Sequence, residues 1–280
     1  MKFERENGWI KITDAGDFDL EKIFECGQCF RWYADADGVY TGVAKGHVAQ
    51  IYKDESGIYI SGTEAEFEAV WRDYFDLGRD YGEIRRLLCI DDYMRAASEF
   101  GAGIRILRQD RWEALCSFII SQCNNIPRIK KIIETFCACF GDAVEYRGET
   151  YYAFPPAEKV AKLAECDLAP LRCGYRAAYI IDAARAVAYG DVDLDALAEG
   201  TYLDALSALK TINGVGDKVA NCVILFGLQM LSAFPVDVWM KKAIAKHYRT
   251  GFDSKIFGKY AGIAQQYMFF YSRSGEDCAV

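Results

Sequence analysis

The sequence predicts an α+β fold, a small antiparallel sheet domain followed by a larger helical one, and three observations predict it. Early in the chain, apolar and polar residues alternate between turn clusters. From about residue 64 the apolar period becomes helical, and beyond 93 nearly every segment reads as a helix joined to the next by a short loop. A hydrophobic content of 52% in 280 residues is ample for cores that fold without a partner, so a monomer is expected.

The strand pattern starts at Phe30 and Trp32, turns over 34–38, and resumes at Val39, Thr41 and Val43. A Lys45-Gly46 turn, the run 48–52, the polar stretch 53–57, and Ile58 with Ile60 complete an antiparallel meander. Residues 1–92 are read as this sheet domain with flanking helices, and 93–280 as the helical domain. Pro127 suits the first turn of a helix, where its missing N–H costs nothing, and Ile129, Ile132, Ile133, Phe136 and Phe140 then share one face. Further helices are predicted over 157–166, 176–188, 202–210, 217–228, 236–247 and 256–271. No internal repeat, low-complexity tract or long linker interrupts them.

No stretch approaches 18 uninterrupted apolar residues, and Lys2, Glu4, Arg5 and Glu6 stand where a signal peptide needs an apolar core. A soluble protein without membrane partners is expected, in a bacterial or archaeal cytoplasm with the chromosome. The eleven cysteines are scattered and odd in number, which reads as free thiols. Neither Cys26/Cys29 nor Cys137/Cys139 has a second pair at zinc spacing, and His47 and His247 are isolated, so no metal is expected.

The net charge of −8 is unpromising for a nucleic-acid partner, but its distribution is uneven. Residues 1–100 carry 21 acidic and 12 basic side chains, which leaves 101–280 close to neutral. Two basic stretches stand out there: Arg105, Arg108, Arg111, Arg128, Lys130 and Lys131, then Lys241, Lys242, Lys246, Arg249, Lys255 and Lys259. They form either a local anion-binding face or ordinary solvated helix surfaces.

The most informative segment is 209–220, Leu-Lys-Thr-Ile-Asn-Gly-Val-Gly-Asp-Lys-Val-Ala. A helix ends near Lys210, Gly214 and Gly216 shape a tight turn able to take positive φ, and a second helix opens near Asp217. Free N–H groups of the turn and of the new helix would face a phosphate, as at other anion-binding helix starts. The pattern resembles the helix-hairpin-helix, a sequence-independent DNA-backbone binder; a plain glycine C-cap is the bland alternative. Lys218 sits in the first turn of the second helix. The positive end of the helix dipole disfavours its ammonium form and favours the free amine that a Schiff-base nucleophile needs, although solvated lysines at helix starts are common. Asp237, in Phe234-Pro235-Val236-Asp237-Val238-Trp239, is placed to cap a helix, and could equally stabilise an oxocarbenium-like transition state.

Hairpin, lysine and Pro-Val-Asp in this order resemble the helix-hairpin-helix/GPD superfamily of DNA glycosylases. Four more segments are similar to one branch, the 8-oxoguanine DNA glycosylase/AP lyase family. These are Gly27-Gln28-Cys29-Phe30-Arg31-Trp32, the run 121–129 (Ser-Gln-Cys-Asn-Asn-Ile-Pro-Arg-Ile), Gly174-Tyr175-Arg176-Ala177 and Tyr260-Ala261-Gly262-Ile263-Ala264-Gln265. The resemblance implies Lys218 as the Schiff-base lysine and Asp237 as its acidic partner, with no cofactor. It implies that the Gly27 carbonyl tests for the N7–H that 8-oxoguanine has and guanine lacks, since two facing lone pairs would be unsatisfied. Phe269 and Cys222 would sandwich the base and Gln265 would bond its Watson–Crick edge. Arg128 and Arg176 would fork onto the orphaned cytosine, with Tyr175 wedged into the stack and Asn124 and Asn125 also contacting DNA. Read without the family, Phe269 is a core aromatic and Gly174-Tyr175-Arg176 an ordinary helix start.

Two departures from the eukaryotic pattern are visible. Cys123 replaces an asparagine beside the estranged cytosine, which loosens the expectation of strict cytosine preference; Trp239 replaces a histidine near Asp237. The four-cysteine iron–sulfur loop of the endonuclease III and adenine glycosylase branches does not follow Tyr271. The expected activity is excision of 8-oxoguanine from duplex DNA, where it pairs with cytosine, followed by strand cleavage through β-elimination. The rivals are a monofunctional alkylated-base glycosylase, which has no use for Lys218, and a non-catalytic hairpin module that only binds DNA.

Overall fold

The computed structural model describes residues 2–248 and 251–275; Arg249 of the second basic stretch and Cys278 lie outside them. An antiparallel sheet comes first and helices follow. The sheet has six strands, β1 (Phe3–Glu6), β2 (Trp9–Ile12), β3 (Trp32–Ala34), β4 (Tyr40–Ala44), β5 (His47–Asp54) and β6 (Gly57–Ser61), in the order β1-β2-β6-β5-β4-β3. The meander predicted from the alternation is β3 to β6, and Trp32 pairs with Gly42 in it. A Cβ on Gly42 would lie 2.1 Å from the Trp32 ring, so only glycine lets the indole lie across its neighbour strand.

The β1–β2 hairpin, which extends the sheet by pairing β2 with β6, was not predicted. Its strands are four residues long, too short for alternation to be read reliably. The same holds for the hairpin β7 (Ala143–Tyr146) and β8 (Glu149–Tyr152) inside the helical part.

One face of the sheet is closed by the short helix Leu20–Glu25 and the helical run 64–74, around an aromatic cluster of Phe24, Trp32, Trp71, Tyr74 and Phe75. Phe24 stacks on Trp32 with ring centres 4.5 Å apart, and the buried indole N–H of Trp32 donates to the Tyr74 hydroxyl at 2.9 Å. A second, larger core is built by the helices, and Cys26 and Phe30 reach into it from the sheet half.

Several helix expectations hold closely, among them Arg176–Ala188, Tyr202–Leu209 and Asp217–Phe226. Two shift. The helix expected over 157–166 is only Ala157–Val160, followed by the 3-10 segment Glu165–Leu171. The one expected over 256–271 divides into the 3-10 segment Ser254–Tyr260, broken within by Gly258 at φ 56° and ψ −139°, and the helix Ala261–Ser274. Pro127 sits in the first turn of Ile126–Phe140, whose cap is Asn125. The ten described cysteines are free. Among the described residues no helix is long and apolar enough to cross a membrane, and no group of three or more His, Cys, Asp or Glu could hold a metal.

Candidate active site and DNA-facing loops

The hairpin joins Tyr202–Leu209 to Asp217–Phe226. Gly214 takes φ +82°, and a Cβ there would strike the Tyr179 ring at 2.3 Å. The expectation of positive φ is wrong for Gly216, which caps the second helix with φ −93° and ψ −176°. A Cβ at Gly216 would meet nothing within 4 Å. Nothing inside the protein therefore demands glycine at 216, while a close outside approach would. No side chain caps this helix, so the first-turn N–H groups stay available to an anion. Lys210 closes the hairpin through an ion pair with Asp217 at 2.6 Å.

In the first turn of that helix, Lys218 lines a cavity of about 50 Å³ together with Gly27, Phe118, Cys222, Phe226, Pro235, Asp237, Gln265, Gln266 and Phe269. All six residues expected to carry chemistry or hold the base thus meet at one place. The lysine Nζ donates to Ser121 Oγ at 3.4 Å and lies 5.6 Å from the centre of the Phe118 ring. Cys222, one turn on, is buried; desolvation pushes its thiol up, with Lys218 pulling the other way. Asp237 caps Val238–His247 by accepting from Met240 N at 2.8 Å, and it also lines the cavity. The capping role expected from the sequence is thus present, in a residue that also borders the cavity.

Gly27 belongs to the loop after Leu20–Glu25 and has φ +81°. A Cβ on it would sit 3.6 Å from Phe269 Cε1, so the phenyl ring covers this backbone directly. The loop is pinned by Gln28, a role that sequence reasoning missed. Its fully buried amide donates to the carbonyls of Ile23 (2.9 Å) and Arg105 (2.8 Å) and accepts from Leu107 N (2.9 Å), and its backbone carbonyl accepts from Gln109 at 2.7 Å. The available signal was a long amide amid apolar neighbours, a residue that stays buried only when fully bonded. Arg105 is held likewise: it is buried and donates to the carbonyls of Ala15, Asp17, Phe75, Asp76 and Arg79. This arginine of the first basic stretch is therefore a core residue, unavailable to DNA.

The other DNA-binding candidates gather on the loops around 121–128 and 172–176, and most are engaged internally. Arg176 is only 4% exposed; it donates to the carbonyls of Gln122 (2.9 Å), Cys123 (3.2 Å) and Cys173 (3.1 Å). Its guanidinium also lies 4.6 Å from the Tyr175 ring centre, and Tyr175 projects with 52% exposure. Arg128 is exposed and has one long bond, to the Arg172 carbonyl at 3.3 Å. Asn125 accepts from Arg128 N at 3.0 Å as the helix cap, and Asn124 donates to the Ile120 carbonyl at 3.2 Å. Cys123 is exposed at φ +48°, the left-handed region that asparagine, the residue of the eukaryotic pattern, tolerates better. Trp239 is also exposed, with the Lys242 ammonium 5.1 Å from its ring centre.

A hairpin with uncapped amides beside a pocket that holds an amine and a carboxylate is the layout of the helix-hairpin-helix base-excision class. Residues 116–256 match that class as the HhH-GPD superfamily of base excision DNA repair proteins, and 10–115 match the 8-oxoguanine DNA glycosylase N-terminal domain. The chain belongs to the 8-oxoguanine DNA glycosylase family. It is 40% identical to the Clostridium acetobutylicum 8-oxoguanine glycosylase/lyase, solved with double-stranded DNA containing cytosine opposite 8-oxoG, at a TM-score of 0.93 over 99% of both chains. It is 43% identical to MBOgg1, solved with a low-affinity DNA ligand, with TM-score 0.93 over 99% of this chain and 100% of that one. The N-glycosylase/DNA lyase of Saccharomyces cerevisiae is 39% identical over 159 residues, 52% of this chain and 42% of that protein.

Proposed function

We propose that the protein removes 8-oxoguanine from duplex DNA and then cleaves the strand as an AP lyase, with Lys218 as the nucleophile. The observation that carries this reading is the convergence of Lys218 and Asp237 with Gly27, Cys222, Gln265 and Phe269 on one cavity. Lys218 Nζ attacks C1′ of the flipped nucleotide, the bond from C1′ to the base breaks, and the base departs with the bonding electrons and takes up a proton. Asp237 stabilises the positive charge that grows on the sugar. Loss of the amine protons and opening of the sugar ring give a Schiff base. Removal of a C2′ proton then expels the 3′ phosphate by β-elimination.

Selectivity follows from the Gly27 carbonyl. An N7–H of 8-oxoguanine donates to it, whereas guanine N7 presents a lone pair to a lone pair, at a cost of roughly 1–3 kcal/mol. The buried thiol of Cys222 and the Phe269 ring supply the two faces of the base slot. The cavity has room for a few waters and not for a purine, so base entry requires its lining to open. Across the helix gap, Arg128, Tyr175, Arg176, Asn124 and Asn125 face the opposite strand in this reading, and Gly214 and Gly216 hold a phosphate. The Clostridium acetobutylicum relative, solved with cytosine opposite 8-oxoG, supports cytosine as the partner base.

Borohydride trapping on duplex containing 8-oxoguanine tests the mechanism. A covalent adduct is expected with the native protein and none with Lys218→Gln, which should also lose base release by on the order of 10⁴-fold. No adduct from the native protein, or an adduct from the mutant, overturns the assignment. Base release without strand cleavage would favour the monofunctional rival.

A further inference from the structure

Gln266 lines the lesion cavity beside Gln265, is only 3% exposed, and donates from Nε2 to Gln265 Oε1 at 3.0 Å. Its own Oε1 is buried without a hydrogen-bond partner among the described residues. A carbonyl orphaned in an interior is destabilising, and such a group is retained where an occupant supplies the donor. The helix that bears both glutamines is packed closely at its start: Gly262 donates to the Leu231 carbonyl at 2.7 Å, and a Cβ there would lie 2.3 Å from Leu225 Cδ1. Both glutamines line the cavity.

The donor–acceptor inventory of the pair is specific. Gln265 Oε1 has given one lone pair to Gln266 and keeps the other, and the Gln265 amide nitrogen is unpaired among the described residues. With the free Gln266 Oε1, the wall offers two acceptors and one donor group. The Watson–Crick edge of a guanine-type base needs that set: donors at N1 and the 2-amino group, an acceptor at O6. An adenine-type edge, with an acceptor at N1, does not match it.

We infer that Gln266 is a second base-reading residue: its side-chain carbonyl accepts from the 2-amino group of the flipped base, while its amide nitrogen locks Gln265 in the orientation that receives N1–H. This rests on the 8-oxoguanine reading above and adds a specificity determinant to it. Single-turnover release by the full-length protein is compared on duplexes carrying 8-oxoguanine or 8-oxohypoxanthine, which lacks only the 2-amino group, each opposite cytosine. The native protein is expected to prefer 8-oxoguanine by about tenfold, the worth of one buried hydrogen bond. Gln266→Met should slow both substrates through the lost contact to Gln265, and 8-oxoguanine by about tenfold more, so that the native preference disappears. Gln266→Leu repeats the comparison if the methionine variant does not fold. A loss shared equally by both substrates, or a native protein indifferent to the 2-amino group, overturns the inference while leaving the glycosylase reading intact. Failure of the native protein to release 8-oxoguanine at all overturns that reading and this inference with it.

Discussion

At the proposed lesion pocket, groups from two distant segments carry unused hydrogen-bonding capacity among the described residues: the Gln266 carbonyl and the Gln265 amide on one helix, and the uncapped amides of the hairpin helix nearby. On the loops at 121–128 and 172–176, the polar side chains are spent on the protein itself, with Arg176 on three carbonyls, Asn125 on a helix cap and Asn124 on Ile120. Binding at the first place gains hydrogen bonds outright. Binding at the second exchanges internal bonds for external ones, and only the difference between the two counts. Recognition of the lesion is therefore expected to be sharper than recognition of the base opposite.

The largest expected effect sharpens the pocket side of that contrast. Asp237→Asn keeps a good helix cap while removing the charge, so stability should hold and single-turnover base release should fall by roughly 10²- to 10³-fold. A variant with full activity would reduce Asp237 to its capping role.

Arg176→Ala comes next, because it leaves the carbonyls of Gln122, Cys123 and Cys173 without their donor. Denaturant unfolding should show a loss of about 2–4 kcal/mol, with activity reduced whatever the opposite base. Unchanged stability with a selective loss on cytosine duplexes would mean that the guanidinium belongs to DNA, and the contrast would break.

The hairpin glycines separate internal from external demands. Gly214→Ala should cost about 1–3 kcal/mol of stability through the Tyr179 clash and the positive φ. Gly216→Ala should stay within about 1 kcal/mol yet weaken binding to undamaged duplex, measured by fluorescence anisotropy. Equal stability losses would remove the case for a phosphate at Gly216.

The smallest effect belongs to Arg128→Ala. With one long internal bond to lose, stability should change by no more than about 0.5 kcal/mol. Excision measured against each of the four opposite bases should show the cytosine advantage shrink by about five- to tenfold, the lower end of the roughly 1–3 kcal/mol that a bidentate contact to a base is worth. A native protein with no cytosine advantage would assign the relaxed preference to Cys123 and its loop.

Legibility was uneven for identifiable reasons. The helices at 176–188 and 217–228 could be read because their caps, glycines and apolar periods are local, and β3 to β6 because alternation over successive strands repeats one signal. The four-residue hairpins could not, since a period needs more residues than they contain. At the site, Lys218, Asp237, Gln265 and Phe269 stood out through motif order. Gln266, Gln28 and the commitment of Arg176 did not, because each depends on partners remote in sequence or on atoms left without one.

By itself the sequence determined the α+β order and the hairpin, because residue type and spacing carry that information locally, and its family resemblance supplied the residues proposed to attack a sugar and read a base. Only the tertiary structure decided that these residues share one small cavity, and that one of the two predicted cytosine-reading arginines is buried and bonded to backbone carbonyls of the protein. Burial and hydrogen-bond partnership are properties of the packed chain, and packing brings together groups whose separation along the sequence gives no sign that they will meet.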